Sequence, residues 1–309
     1  MIGCMQGVDE CKAAFIKFLS VASNYSSYTV VSYETDIEQF LSFLKNQTKR
    51  NNPSIASADS VCVSVYKEEL ICRGLKNSTL ARKLTALRTF FRFLCREKMI
   101  VANPTLFIKS LKIPPPKARE ISLKNIEEAI EERPDDTFIG VRDRAILEVF
   151  YGGGIRLGEL VMLNVTAVDL KAGLLCVGNK KKEYRTTPIG RPAVEALVVY
   201  VHLRGCLIKE LGVKKPPETL FLGINAKPLS RRAIQKRVSY GLGRIVDSKT
   251  LNPNTLRQSF KAHLLNSGAD LASVRYMLGQ VVMSSATDPK KIPIERLREV
   301  YAQAHPRSD

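Results

Sequence analysis

The chain has 309 residues and carries 48 Lys and Arg against 30 Asp and Glu, for a formal charge of +18 and an isoelectric point near 9.7. A surplus of that size favours polyanions through counterion release. No apolar run approaches the roughly 18 residues of a spanning helix, and Met1–Glu10 lacks the basic-then-apolar pattern of an export signal. A cytoplasmic protein of about two domains, with no membrane partner, is expected.

In chain order, helical spacing appears first over Cys11–Ala22 and Thr29–Lys45, where Tyr33, Ile37, Phe40, Leu41 and Leu44 recur on one face. Ser57–Arg73 follows the same pattern. Asn77-Ser78, either of which can cap, opens a helix striped by Leu80, Leu84, Leu87, Phe90, Phe91 and Leu94. Its other face carries Arg82, Lys83, Arg88, Arg92 and Arg96. No acid lies between Thr79 and Arg96, which leaves that charge uncompensated and makes Arg82, Lys83, Arg88 and Arg92 candidates for contact with DNA phosphates.

After Asn103-Pro104 the composition changes, and Ile113-Pro114-Pro115-Pro116-Lys117-Ala118-Arg119 reads as an extended linker. Beyond it, Ser122-Leu123-Lys124-Asn125 opens a helix, and Arg142–Phe150 is a second, apolar-striped one. Gly173–Gly178 and Tyr184–Ile189 read as short strands joined by the charged hairpin Asn179-Lys180-Lys181-Lys182-Glu183. Helices are predicted again at Pro192–Leu211, Ser230–Val246, Thr255–Ser267 and Leu271–Leu278, the second of them opening on Arg231 and Arg232, two further candidates for DNA contact. Seven cysteines, an odd set without a Cys-x-x-Cys pair, suggest neither a disulfide framework nor a zinc site, and are expected to be reduced and mostly buried.

Several segments fall in a fixed order: Ser27-Tyr28-Thr29-Val30-Val31-Ser32-Tyr33; Leu87-Arg88-Thr89-Phe90-Phe91-Arg92-Phe93-Leu94 with Ala102-Asn103-Pro104; Tyr151-Gly152-Gly153-Gly154-Ile155-Arg156-Leu157-Gly158-Glu159-Leu160; Asn254-Thr255-Leu256-Arg257-Gln258-Ser259-Phe260; Leu278-Gly279-Gln280; and Val300-Tyr301-Ala302-Gln303-Ala304-His305-Pro306-Arg307. Taken together, along nearly the whole chain, they resemble the tyrosine recombinases, most nearly those of the bacterial Xer and phage-integrase type. The resemblance implies a mainly α (α+β) protein. A helical, SAM-like core-binding domain would span residues 1–112, a linker 113–121, and a mixed catalytic-type domain with a small antiparallel sheet 122–309.

It also implies a chemistry. In the family a tyrosine hydroxyl attacks a backbone phosphate and forms a 3′-phosphotyrosine, without metal or other cofactor. Two arginines clamp the phosphate oxygens, a task suited to a bidentate guanidinium fork, because negative charge accumulates there in the transition state. Arg156 and Arg257 match those positions. A hairpin lysine that protonates the leaving oxygen matches Lys180, or Lys181 or Lys182 if the hairpin is shifted; an equal reading makes the three a phosphate-facing basic loop.

The departures concern the proton carriers and the nucleophile. Asn254 stands where the family has His or Lys, Gln258 follows the second arginine, and Gln280 replaces a later His or Trp; none of these side chains exchanges a proton near neutral pH. Pro289 occupies the nucleophile position, reached both by counting forward from Gly279 and by counting back from Val300-Tyr301. Asp288-Pro289 also reads as a helix N-cap. Tyr276 and Tyr301 lie away from that position, and the nearer Ser284, Ser285 and Thr287 lack the acidity of a phenol. The expected function is therefore a DNA-binding protein of site-specific recombination that does not itself cleave. Its partners would be double-stranded DNA and a homo- or hetero-oligomer with an active recombinase. The alternative is an active recombinase that uses a non-standard nucleophile or cleaves through a partner subunit in trans.

Overall fold

The computed structural model describes residues 7–21, 25–109, 120–133, 136–179, 182–245, 252–280 and 292–309. The chain divides into two compact units, Met1–Pro116 and Lys117–Asp309. The predicted linker falls largely outside the described residues. Its far end does not extend to 121, because Ile121 is buried and its backbone N–H donates to Ser259 Oγ at 2.8 Å within the second unit.

The first unit is helical: α1 (Val8–Val21), α2 (Ser27–Thr48), a 3-10 turn at Ile55–Ser57, α3 (Ser60–Cys72) and α4 (Asn77–Arg96). Local chemistry sets the boundaries. Ser26 accepts the Thr29 N–H at the start of α2, and Asp59 accepts the Cys62 N–H at the start of α3. The cap expected of Asn77 or Ser78 falls instead to Lys76, which offers no side-chain cap. The core is aromatic; Phe15 meets Phe90 edge-on at 5.2 Å, and Phe40 meets Phe91 at 5.8 Å. Burial of each ring contributes about 1.5–3 kcal/mol.

The cationic face of α4 differs from expectation. Lys83 is 5% exposed and donates to Asp36 at 2.9 Å and to Gln39, and Arg82 pairs with the same Asp36. The compensating acid comes from α2, not from α4. Lys83 falls on the stripe of Leu80, Leu87, Phe90 and Leu94, so the helix turns it inward and it presents no charge to a ligand. Arg88 is held by the Ile108 carbonyl at 2.7 Å, whereas Arg92 is exposed.

The second unit holds α5 (Leu123–Glu131), α6 (Phe138–Gly153), α7 (Leu157–Val161), β1 (Val168–Asp169), β2 (Leu174–Asn179), β3 (Lys182–Pro188), α8 (Arg191–Glu210), α9 (Arg231–Ile245), α10 (Pro253–Asn266), α11 (Leu271–Met277) and α12 (Ile294–Ala304). The sheet is antiparallel in the order β1-β2-β3, with Val177 opposite Arg185 and Leu175 opposite Thr187. Pairing of Asn179 with Lys182 makes the hairpin tighter than the five-residue connection expected. α6 forms the centre: Ala145, Ile146, Val149, Phe150 and Tyr151 are no more than 1% exposed, and α8 and α10 pack against it.

The predicted cap at Asp288-Pro289 lies outside the described residues; α12 begins at Ile294 with Pro293 as its N-cap. The helix docks through Tyr301, whose hydroxyl accepts the Gly190 N–H at 3.0 Å and whose ring stacks on His305. Among the described cysteines only Cys11 is buried; Cys62 and Cys95 are half-buried, and Cys72, Cys176 and Cys206 are exposed. The expectation of buried thiols fails because these side chains point outward, as Cys176 does between the inward Leu175 and Val177 of β2. Among the described residues, no helix is long and apolar enough to cross a membrane.

Candidate functional site

Three arginines from three elements converge on the turn that ends α11. Arg185 of β3 donates through Nε to the Met277 carbonyl at 2.7 Å, Arg257 of α10 donates through Nη2 to the Leu278 carbonyl, and Arg156 donates through Nη2 to the Gly279 carbonyl at 2.9 Å. The turn requires glycine at 279. Its φ is +58°, and a Cβ there would lie 2.9 Å from Arg185 Nη1 and 3.1 Å from Arg156 Nη1.

Glu159 joins two of the three guanidinium groups. Arg156 is the N-cap of α7, and the Glu159 carboxylate reaches back to its backbone N–H at 2.7 Å and to its Nη1 at 2.9 Å. The same carboxylate takes Arg185 Nη1 at 2.8 Å and Nη2 at 3.0 Å, a forked pair. Burial pushes the Glu159 carboxyl up, but the bonds from Arg185 and Arg156 outweigh it and hold the group down at about 2. Arg257 donates its Nη1 to the Gly154 carbonyl at 2.6 Å. Burial, reinforced by the neighbouring Arg156, lowers Arg257 to about 10, so it stays charged at neutral pH. Among the described residues, two of the three arginines thus share one carboxylate and the third has only backbone carbonyls, an imbalance that an anion would relieve.

Beside this network lies a hollow of about 90 Å³ lined by Asn254, Arg257, Gln258, Lys261, Leu278 and Gln280. Asn254, Arg257, Gln258 and Lys261 recur at the spacing of one helical face, so α10 presents all four together. The hollow's small size and its amide, guanidinium and ammonium lining suit a small polar group such as one phosphate. It is too small for a coenzyme, whose pockets run to about 300 Å³ or more.

The structure therefore brings Arg156, Asn254, Arg257 and Gln280 into one locality. Lys180 and Lys181 lie outside the described residues, and of Lys182 only the backbone is described, on β3. Pro289 and the hydroxyls of Ser284, Ser285 and Thr287 also lie outside them. Among the described residues, no histidine lines the hollow. His263 Nδ1 is 2.7 Å from the Tyr151 hydroxyl, His305 is buried and pushed down to about 3, and His202 sits on α8 beside Cys206. Tyr301 is 3% exposed and engaged with Gly190, which removes it as a stand-in nucleophile. Arg231 and Arg232 are exposed at the start of α9.

Sequence reasoning missed Arg185, Lys261 and the part played by Glu159. Lys261 was signalled by its place one turn beyond Arg257. Arg185 shares a strand face with the buried Thr187, and an arginine at an inward strand position is rare without a partner.

The architecture is thus a helical first unit and a mixed second unit in which Arg257 lines a small polar hollow and Arg156 and Arg185 hold the adjoining turn. The phage integrase family model matches residues 119–286, and the model of the phage integrase N-terminal SAM-like domain matches residues 13–98. The chain belongs to the phage integrase, or tyrosine recombinase, family. It is 35% identical over 297 residues to the tyrosine recombinase XerC of Pelotomaculum thermopropionicum, covering 95% of this chain and 97% of that protein. It is 34% identical over 305 residues to XerC of Bacillus subtilis, covering 98% and 99%. Among solved structures, the fold is similar to that of the Tn1549 transposon integrase in complex with transposon right-end DNA, at TM-score 0.67 and 16% identity over 95% of this chain and 98% of that one. It is also similar to the XerH site-specific recombinase bound to its difH substrate, at TM-score 0.66 and 18% identity over 93% and 86%.

Proposed function

We propose that this protein binds duplex DNA as a member of a site-specific recombination system, grips one backbone phosphate in the hollow beside Arg156 and Arg257, and does not cleave the strand. The observation that carries the reading is the composition of that hollow: guanidinium, amide and ammonium donors for a phosphodiester, and among the described lining residues no imidazole or phenol to move a proton or attack phosphorus. Pro289, at the family's nucleophile position, offers no side-chain nucleophile. The charge of +18 and the DNA named with solved proteins of this fold support duplex DNA as the ligand.

A second reading keeps the chain on the same DNA as one subunit of an assembly in which an active relative cuts, and the end-to-end match to proteins named tyrosine recombinases is compatible with it. Titration of the chain into a strand-exchange reaction run by an active tyrosine recombinase separates the two: stimulation supports the assembly, and simple competition for the duplex supports a solitary binder. The primary reading is tested by an electrophoretic shift on duplex DNA between roughly 50 and 200 mM salt, where a protein making several phosphate contacts loses orders of magnitude in affinity. Weak binding that does not vary with salt would remove DNA from the account.

A further inference from the structure

From the same network we infer that Arg185 is a positioning residue: it does not touch the phosphate but sets Arg156 and the Met277–Gly279 turn for it. The inference rests on the phosphate-grip reading above. All three nitrogens of the Arg185 guanidinium are committed within the protein, Nε to the Met277 carbonyl and Nη1 and Nη2 to Glu159. Its side chain is 10% exposed, against 47% for Arg156. Unlike Arg257, it does not line the hollow, and three of its five N–H donors are already spent within the protein.

What Arg185 does have is leverage. Glu159 fixes Arg156 twice, at the backbone N–H that starts α7 and at Nη1, and Arg185 is the forked partner that keeps Glu159 ionised and oriented. On its other side, Arg185 holds the first of three consecutive carbonyls; the next two are held by Arg257 and Arg156. β3, which begins at Lys182, is thereby tied to both guanidinium forks, and the tie ends one residue before Gln280. Release of Arg185 would free the Glu159 carboxylate to rotate and would leave the Arg156 side chain with Gly279 as its one fixed anchor. The conservative exchange cannot substitute, because an ammonium is a point donor and three contacts in a plane need the fork.

The test is a double-mutant cycle read by the salt dependence of duplex binding. Arg156→Ala should lower affinity roughly tenfold or more and the salt slope by about one, the value of one phosphate contact. Arg185→Ala and Arg185→Lys should each reproduce that loss of slope, and adding either to Arg156→Ala should cost less than twofold more. A merely structural role would lower the melting temperature without changing the slope, and a direct contact of Arg185 with DNA would make the two losses additive; either result overturns the inference. Should the Arg185 variants fail to fold, Glu159→Gln breaks the same link, and additivity with Arg156→Ala would count against it in the same way. If Arg156→Ala leaves binding unchanged while the wild-type chain binds, the phosphate-grip reading itself fails, a result distinct from failure at Arg185.

Discussion

Arg257 is 8% exposed, and both of its terminal nitrogens are anchored on backbone carbonyls before any ligand arrives. Arg257→Ala therefore removes the proposed phosphate donor and also leaves the Gly154 and Leu278 carbonyls without their partner. Duplex affinity should fall by about 1.5–3 kcal/mol and folding stability by about 1–3 kcal/mol, measured by electrophoretic shift and urea unfolding. Unchanged affinity would remove Arg257 from the phosphate site. Glu159 makes a prediction about pH. Its carboxyl is held at about 2, below an unfolded value of about 4.3, so the unfolded chain binds more protons between these limits and stability rises with pH there. The contribution, on the order of 2–3 kcal/mol, is fully present above about pH 5 and is lost as pH falls towards 2. Glu159→Gln should flatten the stability profile in that window, and an unaltered profile would contradict the network. At this scale the sequence disclosed the two arginines through their motif residues. It did not disclose Arg185, whose partners Glu159 and Met277 lie 26 and 92 residues away, or the fork that Arg185 makes to Glu159.

α4 shows how an element can be predicted correctly and its face misjudged. Helical periodicity located it, and the run of basic residues was plain, but the acid that neutralises two of them is Asp36 on α2. The stripe already contained the correction, because Lys83 sits in line with Leu80 and Leu87. Breaking that buried pair should cost stability rather than binding. Lys83→Ala is expected to destabilise by up to about 3 kcal/mol with little change in the salt slope, whereas Arg92→Ala on the exposed face should weaken DNA binding with little change in melting temperature. The reverse pattern would reassign the two faces. In α12 the buried Leu297, Val300, Tyr301 and Ala304 recur at helical spacing, whereas the Tyr301–Gly190 contact depends on packing that no local pattern reveals. Tyr301→Phe should cost about 1 kcal/mol in thermal unfolding through the lost hydrogen bond, and no loss would mean that the contact does not hold the helix.

At the scale of the whole molecule, the mainly helical architecture and the family were both readable, because motif order and spacing extend over nearly all of the chain. The geometry of the hollow was not readable: its lining residues come from α10 and from the turn after α11, and it is held by α7 and β3. Pro289→Tyr by itself should not restore cleavage, since Asn254, Gln258 and Gln280 supply no proton carrier; covalent adduct formed by that variant would show that the site retains more competence than its residues suggest. The most direct measurement uses the wild-type chain and a duplex nicked beside the cleavage point, so that any covalent intermediate is trapped. The account predicts a salt-sensitive complex that dissociates completely in denaturant, and a denaturation-resistant link between protein and a DNA 3′ end would contradict it.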